Sequence, residues 1–172
     1  IGVPKTIDND LEITDHTPGY GSAAKFIAST MKEIIRDGLV YDIKSVTIVE
    51  IMGRNAGWLT GAASLAGEQG NGGPDLIYLP ECPFDLDEFV EKVRSLQEVK
   101  KSIVIAVSEG VKLADGRYIC ELTKASNFVD SFGHATLSGA ASFLATYLSN
   151  KLNCKTRAIE LNTLQRCASH MA

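Results

Sequence analysis

Runs of β-branched and other apolar residues alternate along the chain with stretches in which apolar residues return every three to four positions. The runs predict four buried strands, at residues 45–52, 75–79, 102–108 and 157–164. The periodic stretches predict four helices, at residues 21–37, 56–67, 85–97 and 133–152. Asp85 is the candidate N-cap of the third helix. This alternation predicts an α/β fold with three layers, in which helices cover both faces of a mostly parallel sheet.

The carboxyl ends of the predicted strands are the first places to look for a site. In a parallel sheet these ends meet at one edge, and ligands of such folds bind beyond that edge. Within two residues of the end of three of the four predicted strands there is a glycine or an arginine. The motifs are Met52-Gly53-Arg54, Ser108-Glu109-Gly110 and Leu164-Gln165-Arg166. Residues 71–74 are predicted to form a loop within one domain.

Composition narrows the classes of partner. The chain has 172 residues, of which 45% are hydrophobic and 22% are charged, which is typical of a globular domain. A net charge of −4 argues against a broad nucleic-acid-binding surface, so the few basic residues are individually informative. The longest apolar runs have the length of a strand, so we expect no membrane segment. Four dispersed cysteines are typical of a reduced, cytoplasmic protein.

Two carboxylates stand near the start of the chain, in Thr6-Ile7-Asp8-Asn9-Asp10. Because alternate residues of an extended segment point the same way, Asp8 and Asp10 are expected to perturb each other's pKa. Such a pair can divide its work between a general base and a ligand for a divalent cation. On residue type alone a loop that leads into the next helix remains open, with Asp15 or Thr17 as the helix cap.

The motifs at the strand ends suit an anionic, hydroxylated ligand. A glycine turn at Gly53 exposes backbone N–H groups, and Arg54 adds a guanidinium with charge-assisted donors. Glu109 is able to accept hydrogen bonds from sugar hydroxyls, and Arg157 with Arg166 is able to clamp a phosphate. Each motif also has an ordinary alternative, namely a packed turn, a surface or helix-capping glutamate, or solvated arginines.

Taken with Pro4-Lys5-Thr6-Ile7-Asp8-Asn9-Asp10, these motifs make the sequence resemble the 6-phosphofructokinase family, in both its pyrophosphate-dependent and its ATP-dependent branches. The resemblance runs from Val3 to His170. It implies transfer of a phosphoryl group from pyrophosphate or ATP to the 1-hydroxyl of fructose 6-phosphate, giving fructose 1,6-bisphosphate in glycolysis. It also implies Mg²⁺ as cofactor, a cytoplasmic enzyme and a homo-oligomer, either a dimer or a tetramer.

The resemblance assigns the first motif to catalysis. Asp8 is expected to be the general base that takes the proton of the sugar 1-hydroxyl, and Thr6 to bind the transferring phosphoryl region. Asp10 is expected beside the magnesium-bound donor. Lys5 supplies positive charge, as phosphoryl transfer requires. A lysine here is typical of the members that use pyrophosphate, so the pyrophosphate-dependent branch is favoured.

The resemblance assigns the remaining motifs to the acceptor. Met52-Gly53-Arg54 is expected to contact fructose 6-phosphate and the transferring phosphate, with Arg54 counted among the catalytic residues. Glu109 is expected to bind the sugar and Arg166 the 6-phosphate. Arg157 is expected to reach the 6-phosphate in the site of a neighbouring subunit, which would make assembly part of catalysis.

Two positions depart from the short bacterial ATP-dependent members. Thr163 stands where those members have a histidine, and Ser45, next to Lys44, stands where they have an arginine. Both departures are compatible with the pyrophosphate-dependent branch or with a longer ATP-dependent branch.

The resemblance also divides the chain. Residues 1–20 are expected to form a catalytic loop and domain-linking segment, and residues 21–172 a fructose 6-phosphate-binding domain. Because the family holds its donor and metal on an upstream Gly-Gly-Asp loop, residues 1–172 are expected to be a fragment that is inactive alone. The alternative is a sugar-phosphate-binding or oligomerisation module without catalysis.

Overall fold

Four parallel strands form the main sheet of the computed structural model, which describes residues 1–2, 4–67, 72–122 and 137–171. In chain order the strands are β1 (Ser45–Ile51), β2 (Leu76–Tyr78), β3 (Pro83–Phe84), β4 (Ser102–Ser108), β5 (Lys112–Leu113) and β6 (Lys155–Glu160). The main sheet has the order β2-β4-β1-β6, and β3 pairs with β5 in a separate two-stranded sheet. The predicted parallel sheet is confirmed, whereas the small sheet was not predicted.

Helices cover both faces of the main sheet. They are α1 (Tyr20–Leu39), α2 (Trp58–Ala62), α3 (Leu86–Val99) and α4 (Ala140–Lys151). Alternate residues of β1 point to opposite faces, so Ile48 packs with α3 and α4 while Val49 packs with α1 and α2. Two apolar clusters therefore sandwich the sheet, as the three-layer prediction requires. No helix in the described part of the chain is both long and apolar enough to cross a membrane.

The most periodic elements match their predictions closely. β4 covers residues 102–108 as predicted, and β1 ends one residue earlier than predicted, at Ile51. α1 and α3 each end two residues later than predicted, at Leu39 and Val99. Asp85 caps α3, since its side chain accepts hydrogen bonds from the N–H groups of Asp87 and Glu88.

Three predicted elements differ from the structure. The predicted helix at 56–67 is helical only over Trp58–Ala62 and then tightens into a 3₁₀ helix. The predicted strand at 157–164 is wrong in its second half, because β6 ends at Glu160 and the left-handed Asn162 (φ +42°) opens a 3₁₀ helix, Asn162–Cys167. Of the predicted helix at 133–152, residues 133–136 lie outside the described residues, and α4 begins only at Ala140. Residue 71 of the predicted loop is also outside them.

Candidate active site

The turns that follow β1 and β4 are joined at the carboxyl edge of the sheet. The Glu109 N–H donates to the carbonyl of Ile51 over 2.9 Å, which continues the ladder between the two strands by one residue. The Gly53 N–H donates in return to Glu109 Oε1 over 3.3 Å. The two strand-end motifs predicted from the sequence therefore form one structure.

Two glycines allow these turns to pack against each other. Gly53 has φ +131°, and a Cβ there would lie 2.4 Å from the carbonyl oxygen of Ala56. A Cβ on Gly110 would lie 1.9 Å from the carbonyl oxygen of Arg54, which no side chain allows. The Ser108 hydroxyl lies between the turns, donating to Gly53 O over 2.6 Å and accepting from the Gly110 N–H over 3.0 Å. The backbone that carries Arg54 is therefore held on two sides.

Hydrogen bonds between nearby residues hold the loop that contains Asp8. The Asp8 N–H donates to Thr6 Oγ1 over 3.2 Å. The buried Thr17 donates its hydroxyl to Thr6 O over 2.6 Å, and its N–H donates to Asn9 Oδ1 over 2.8 Å. Asn9 itself is buried and adopts the left-handed conformation, φ +58°. These contacts fix the loop as it passes Asp8.

The structure also shows which residue caps the helix that follows this loop. The N-cap of α1 is Gly19, and no side chain caps that helix end. Thr17 therefore does not act as the helix cap that the plain-loop interpretation required, and neither does Asp15. Thr17 instead shapes the segment in which Asp8 lies.

Charged groups from separate parts of the chain converge on Asp8. Burial is the main reason that the pKa of Asp8 is raised, and the neighbouring Asp10 raises it further. The positive charges of Arg54, Lys5 and Arg166 act in the opposite direction. A half-buried carboxylate with a second acid and three cations in electrostatic reach is the centre of the candidate site.

Glu109 is a second carboxyl group with altered chemistry. Burial raises the pKa of Glu109 to about 7, and the negative charges of Asp8 and Glu50 add to the effect. The hydrogen bond from Gly53 and the charge of Arg54 partly oppose it. Near neutral pH this group is therefore able both to accept a hydrogen bond and, when protonated, to donate one.

Arg166 and Lys5 line one cleft beside Asp8. The cleft has a volume of about 230 Å³, and its lining residues are Lys5, Ile7, Gly19, Ser22, Gln165, Arg166 and Ala168. Arg166 is exposed, and its guanidinium donates to Thr163 Oγ1 over 3.2 Å. Two cations in an open cleft are suited to a phosphate group.

Comparison with known proteins shows the family of this chain. A family model described as Phosphofructokinase matches residues 1–172. This chain belongs to the phosphofructokinase family. It is 45% identical to a pyrophosphate–fructose 6-phosphate 1-phosphotransferase of Xanthomonas campestris in an alignment of 174 positions, which covers 100% of the chain and 41% of that protein. The corresponding enzyme of Halomonas elongata is 40% identical in an alignment of 176 positions, which again covers 100% of the chain and 41% of the relative.

A solved structure shares the fold. The pyrophosphate-dependent phosphofructokinase from Marinobacter aquaeolei has a TM-score of 0.80 and 34% identity, covering 98% of this chain and 38% of that one. The chain thus spans about two fifths of the length of these phosphofructokinases.

Arg157 is the one predicted site residue that this phosphofructokinase chain places elsewhere. It lies opposite Thr47 in the first half of β6, towards the amino edge of the sheet, and its guanidinium forms an ion pair with Asp37 over 3.1 Å. Within one chain, Arg157 and Arg166 therefore do not form a clamp, and the reach of Arg157 into a neighbouring subunit stays a prediction.

Three buried polar side chains at the site were missed from the sequence. Gln165 is only 1% exposed and accepts a hydrogen bond from the Met52 N–H over 3.1 Å. Ser108 joins the two turns as described, and Glu50 accepts hydrogen bonds from the N–H groups of Gly139 and Ala141 at the start of α4. A charged residue inside an apolar strand was a signal for Glu50, whereas Ser108 and Gln165 carry no such signal.

The carboxylates of this phosphofructokinase chain also fit one kind of metal site. Within the described residues, no group of three or more His, Cys, Asp or Glu side chains is placed to hold an ion alone. Asp8 and Asp10, by contrast, lie close enough for one charge to raise the pKa of the other. Mg²⁺ typically binds one or two carboxylates together with substrate phosphates and water. Asp10, beside the base candidate Asp8, therefore fits an Mg²⁺ ion that arrives with a phosphorylated donor.

Proposed function

We propose that the full-length protein containing these residues transfers a phosphoryl group from pyrophosphate, or from ATP, to the 1-hydroxyl of fructose 6-phosphate. The observation that carries this proposal is the half-buried Asp8 carboxylate within reach of the charges of Arg54, Lys5 and Arg166. A base beside several cations is what a hydroxyl needs in order to attack an anionic phosphoryl group. In this assignment residues 1–20 form the catalytic loop, and residues 21–172 form the fructose 6-phosphate-binding domain.

Asp8 is the base in the proposed reaction. As the O1 oxygen of the sugar attacks the phosphorus in line, Asp8 takes the hydroxyl proton. The O1–P bond forms while the bond from phosphorus to the bridging oxygen of the donor breaks, and phosphate, or ADP from ATP, leaves. Burial raises the pKa of Asp8 and makes it a stronger base than an exposed aspartate. The charges of Arg54 and Lys5 stabilise the negative oxygens of the phosphoryl group.

The acceptor is held by the edge of the sheet. Glu109 accepts hydrogen bonds from sugar hydroxyls, and Arg166 binds the 6-phosphate in the cleft that it shares with Lys5. Thr6 and Met52-Gly53-Arg54 contact the transferring phosphoryl group. Arg157 completes the 6-phosphate site of a neighbouring copy, so the active form is a homo-oligomer, either a dimer or a tetramer.

Asp10 is assigned to the metal. It would hold Mg²⁺ against the phosphates of the donor, where the ion supplies positive charge for the transferring group. Asp10 is exposed, so it is open to a donor that binds from solvent.

Pyrophosphate is the favoured donor. Lys5 is a compact point charge suited to a phosphate group, and the names of the relatives specify pyrophosphate. The product, fructose 1,6-bisphosphate, places the enzyme in glycolysis, and we assign it to the cytoplasm.

A donor assay on the full-length protein tests the proposal. Fructose 6-phosphate is supplied with Mg²⁺ and either pyrophosphate or ATP, and fructose 1,6-bisphosphate is measured. We expect turnover with pyrophosphate to exceed turnover with ATP. Binding of fructose 6-phosphate without turnover by either donor would contradict the reaction and favour a binding or oligomerisation module.

A further inference from the structure

We infer that Gln165 is a positioning residue, which sets the distance between the two phosphate-binding arginines, Arg54 and Arg166. This inference rests on the proposed function, because it assigns to Gln165 a role in binding the sugar phosphate. Gln165 touches no substrate in this role. It acts through the backbone of Met52 on one side and through its own neighbour, Arg166, on the other.

The amide of Gln165 has both of its ends engaged in the core. Its Oε1 accepts the Met52 N–H over 3.1 Å, and its Nε2 donates to the carbonyl of Asn162 over 3.2 Å. The side chain is 1% exposed, so neither contact can be exchanged for water. A buried amide with two partners favours a single conformation, since loss of either contact leaves a polar group unpaired.

The Gln165 amide lies beyond the point where the backbone hydrogen bonds between β1 and β6 end. The backbone bond from the Leu161 N–H to Glu50 O, at 3.3 Å, closes the contact between β1 and the segment after β6. Beyond it, Asn162 turns the chain into the 3₁₀ helix and away from β1. The Gln165 side chain then restores a link to β1 at the residue before Gly53.

That link falls between the two arginines. Arg54 lies two residues after Met52, and Arg166 is the next residue after Gln165. Both arginines lie in the segments that follow the neighbouring strands β1 and β6, at the carboxyl edge of the main sheet. If the 3₁₀ helix shifted relative to the turn that follows β1, the distance between the guanidinium groups of Arg54 and Arg166 would change. In the proposed function both groups bind the same substrate molecule. Misplacement on the scale of an ångström is costly in an oriented site.

The test compares the same substitution at two glutamines of the full-length protein. Gln165→Met keeps the length and volume of the side chain and removes both hydrogen bonds. Gln97→Met is the matched control, because the Gln97 Nε2 is buried without a hydrogen-bond partner and lies in α3, near the amino edge of the sheet. We expect Gln165→Met to raise KM for fructose 6-phosphate by roughly 10-fold, with KM for the donor changed by less than about 2-fold. Gln97→Met should change neither constant.

The kinetic constants of Gln165→Met would differ if Gln165 had only a structural role. If Gln165 only stabilised the fold, the substitution would reduce the amount of active enzyme, lowering the apparent kcat while both KM values stayed unchanged. An unchanged KM for fructose 6-phosphate in soluble, folded Gln165→Met therefore overturns the inference. If the wild-type protein turns over fructose 6-phosphate with neither donor, the proposed function fails first, and the role of Gln165 fails with it.

A second variant covers the case in which Gln165→Met does not fold. In Gln165→Glu, a protonated carboxyl group reproduces both contacts of the amide, accepting from Met52 and donating to Asn162. The ionised form loses the donor and places a negative charge in the cleft that Gln165 shares with Lys5 and Arg166. KM for fructose 6-phosphate, divided by the wild-type value at each pH, should therefore fall as pH is lowered from about 8 to about 6. Division by the wild-type value removes the pH dependence that both proteins share, and a flat ratio contradicts the inference.

Discussion

The hydroxyl of Ser108 donates to the carbonyl of Gly53 over 2.6 Å and so ties the end of β4 to the turn that follows β1. The same oxygen accepts the Gly110 N–H, and Ser108 is fully buried. Ser108→Ala leaves two buried backbone groups without this partner, which should cost about 1–3 kcal/mol of unfolding free energy. The change is measurable from the midpoint of urea unfolding.

Ser149→Ala is the control for that measurement. Ser149 is exposed on α4, and its hydroxyl donates only to the carbonyl of Thr146 over 2.9 Å. A surface substitution of this kind should stay within about 0.5 kcal/mol of the wild type. Equal losses at Ser108 and Ser149 would show that the Ser108 bridge adds nothing.

Asp8→Asn should lower kcat with fructose 6-phosphate by at least ~10²-fold, as loss of a general base usually does. The amide keeps the size of the side chain but cannot take the hydroxyl proton. Asp115→Asn, at an exposed ion pair with Arg117, is the matched control and should keep wild-type turnover. Steady-state rates on the full-length enzyme decide the point, and near-normal turnover of Asp8→Asn removes Asp8 from the role of base.

Arg166→Ala should act mainly on substrate affinity. Loss of charge-assisted hydrogen bonds to a phosphate costs about 1.5–3 kcal/mol, which corresponds to a rise of roughly 10- to 100-fold in KM for fructose 6-phosphate. Arg94→Ala removes an exposed guanidinium that pairs with Glu91 on α3 and should leave KM unchanged. The same KM in both variants would exclude Arg166 from the 6-phosphate site.

Glu109→Gln should change how stability depends on pH. The pKa of Glu109 rises from 4.5 to about 7 on folding, so the folded state holds its proton more tightly than the unfolded state. The stabilisation from this group is complete below about pH 4.5 and is lost as pH rises through about 7, a change of up to about 3 kcal/mol.

The glutamine variant has no such titration, so its stability relative to the wild type should rise between about pH 5 and about pH 8. Thermal or urea unfolding of both proteins across that range measures the difference, and Glu121→Gln, at an exposed position, is the control. A constant difference between wild type and Glu109→Gln would show that burial does not raise the pKa of Glu109.

Arg157 gives a prediction about assembly. If Arg157 serves the site of a neighbouring subunit, each active site contains Asp8 from one subunit and Arg157 from the next. Asp8→Asn and Arg157→Ala then remove residues that two different subunits contribute to that site. Mixing the two variants under conditions of subunit exchange should then recover activity, because a site with intact Asp8 receives an intact Arg157 from its neighbour. Each variant alone is the control. Activity that stays at the sum of the two separate samples argues that Arg157 acts within its own chain or only in its ion pair with Asp37.

Much of the fold follows from apolar periodicity. β4 is buried on both faces over most of its length, and its unbroken apolar run, residues 103–107, fills the strand between Ser102 and Ser108. α1 and α3 were predicted nearly in full because their buried residues return at helical spacing. The second half of the last predicted strand was wrong, because a left-handed conformation at Asn162 depends on the path of the chain and not on residue preference alone.

The sequence pointed to candidate site residues where a motif directly follows a strand. Arg54 and Glu109 were predicted in this way, because the carboxyl ends of the paired strands β1 and β4 meet at one edge. Arg166 lies beyond the end of β6, in the 3₁₀ helix, and the roles of all three residues stay predictions. The side chains that hold these motifs were not predicted. Ser108 and Gln165 gain their partners only through contacts between distant segments, which residue spacing does not encode.

The hydrogen bonds that fix Met52 and Gly53 join positions far apart in the chain, separated by 113 and 56 residues. High contact order of this kind delays a contact until the intervening chain has folded. A folding intermediate with β1 and β4 paired but β6 undocked would have the Gly53–Glu109 contact and would lack the Met52–Gln165 contact. Affinity for the sugar phosphate should thus be among the last properties that the chain gains as it folds, and among the first that it loses as it melts.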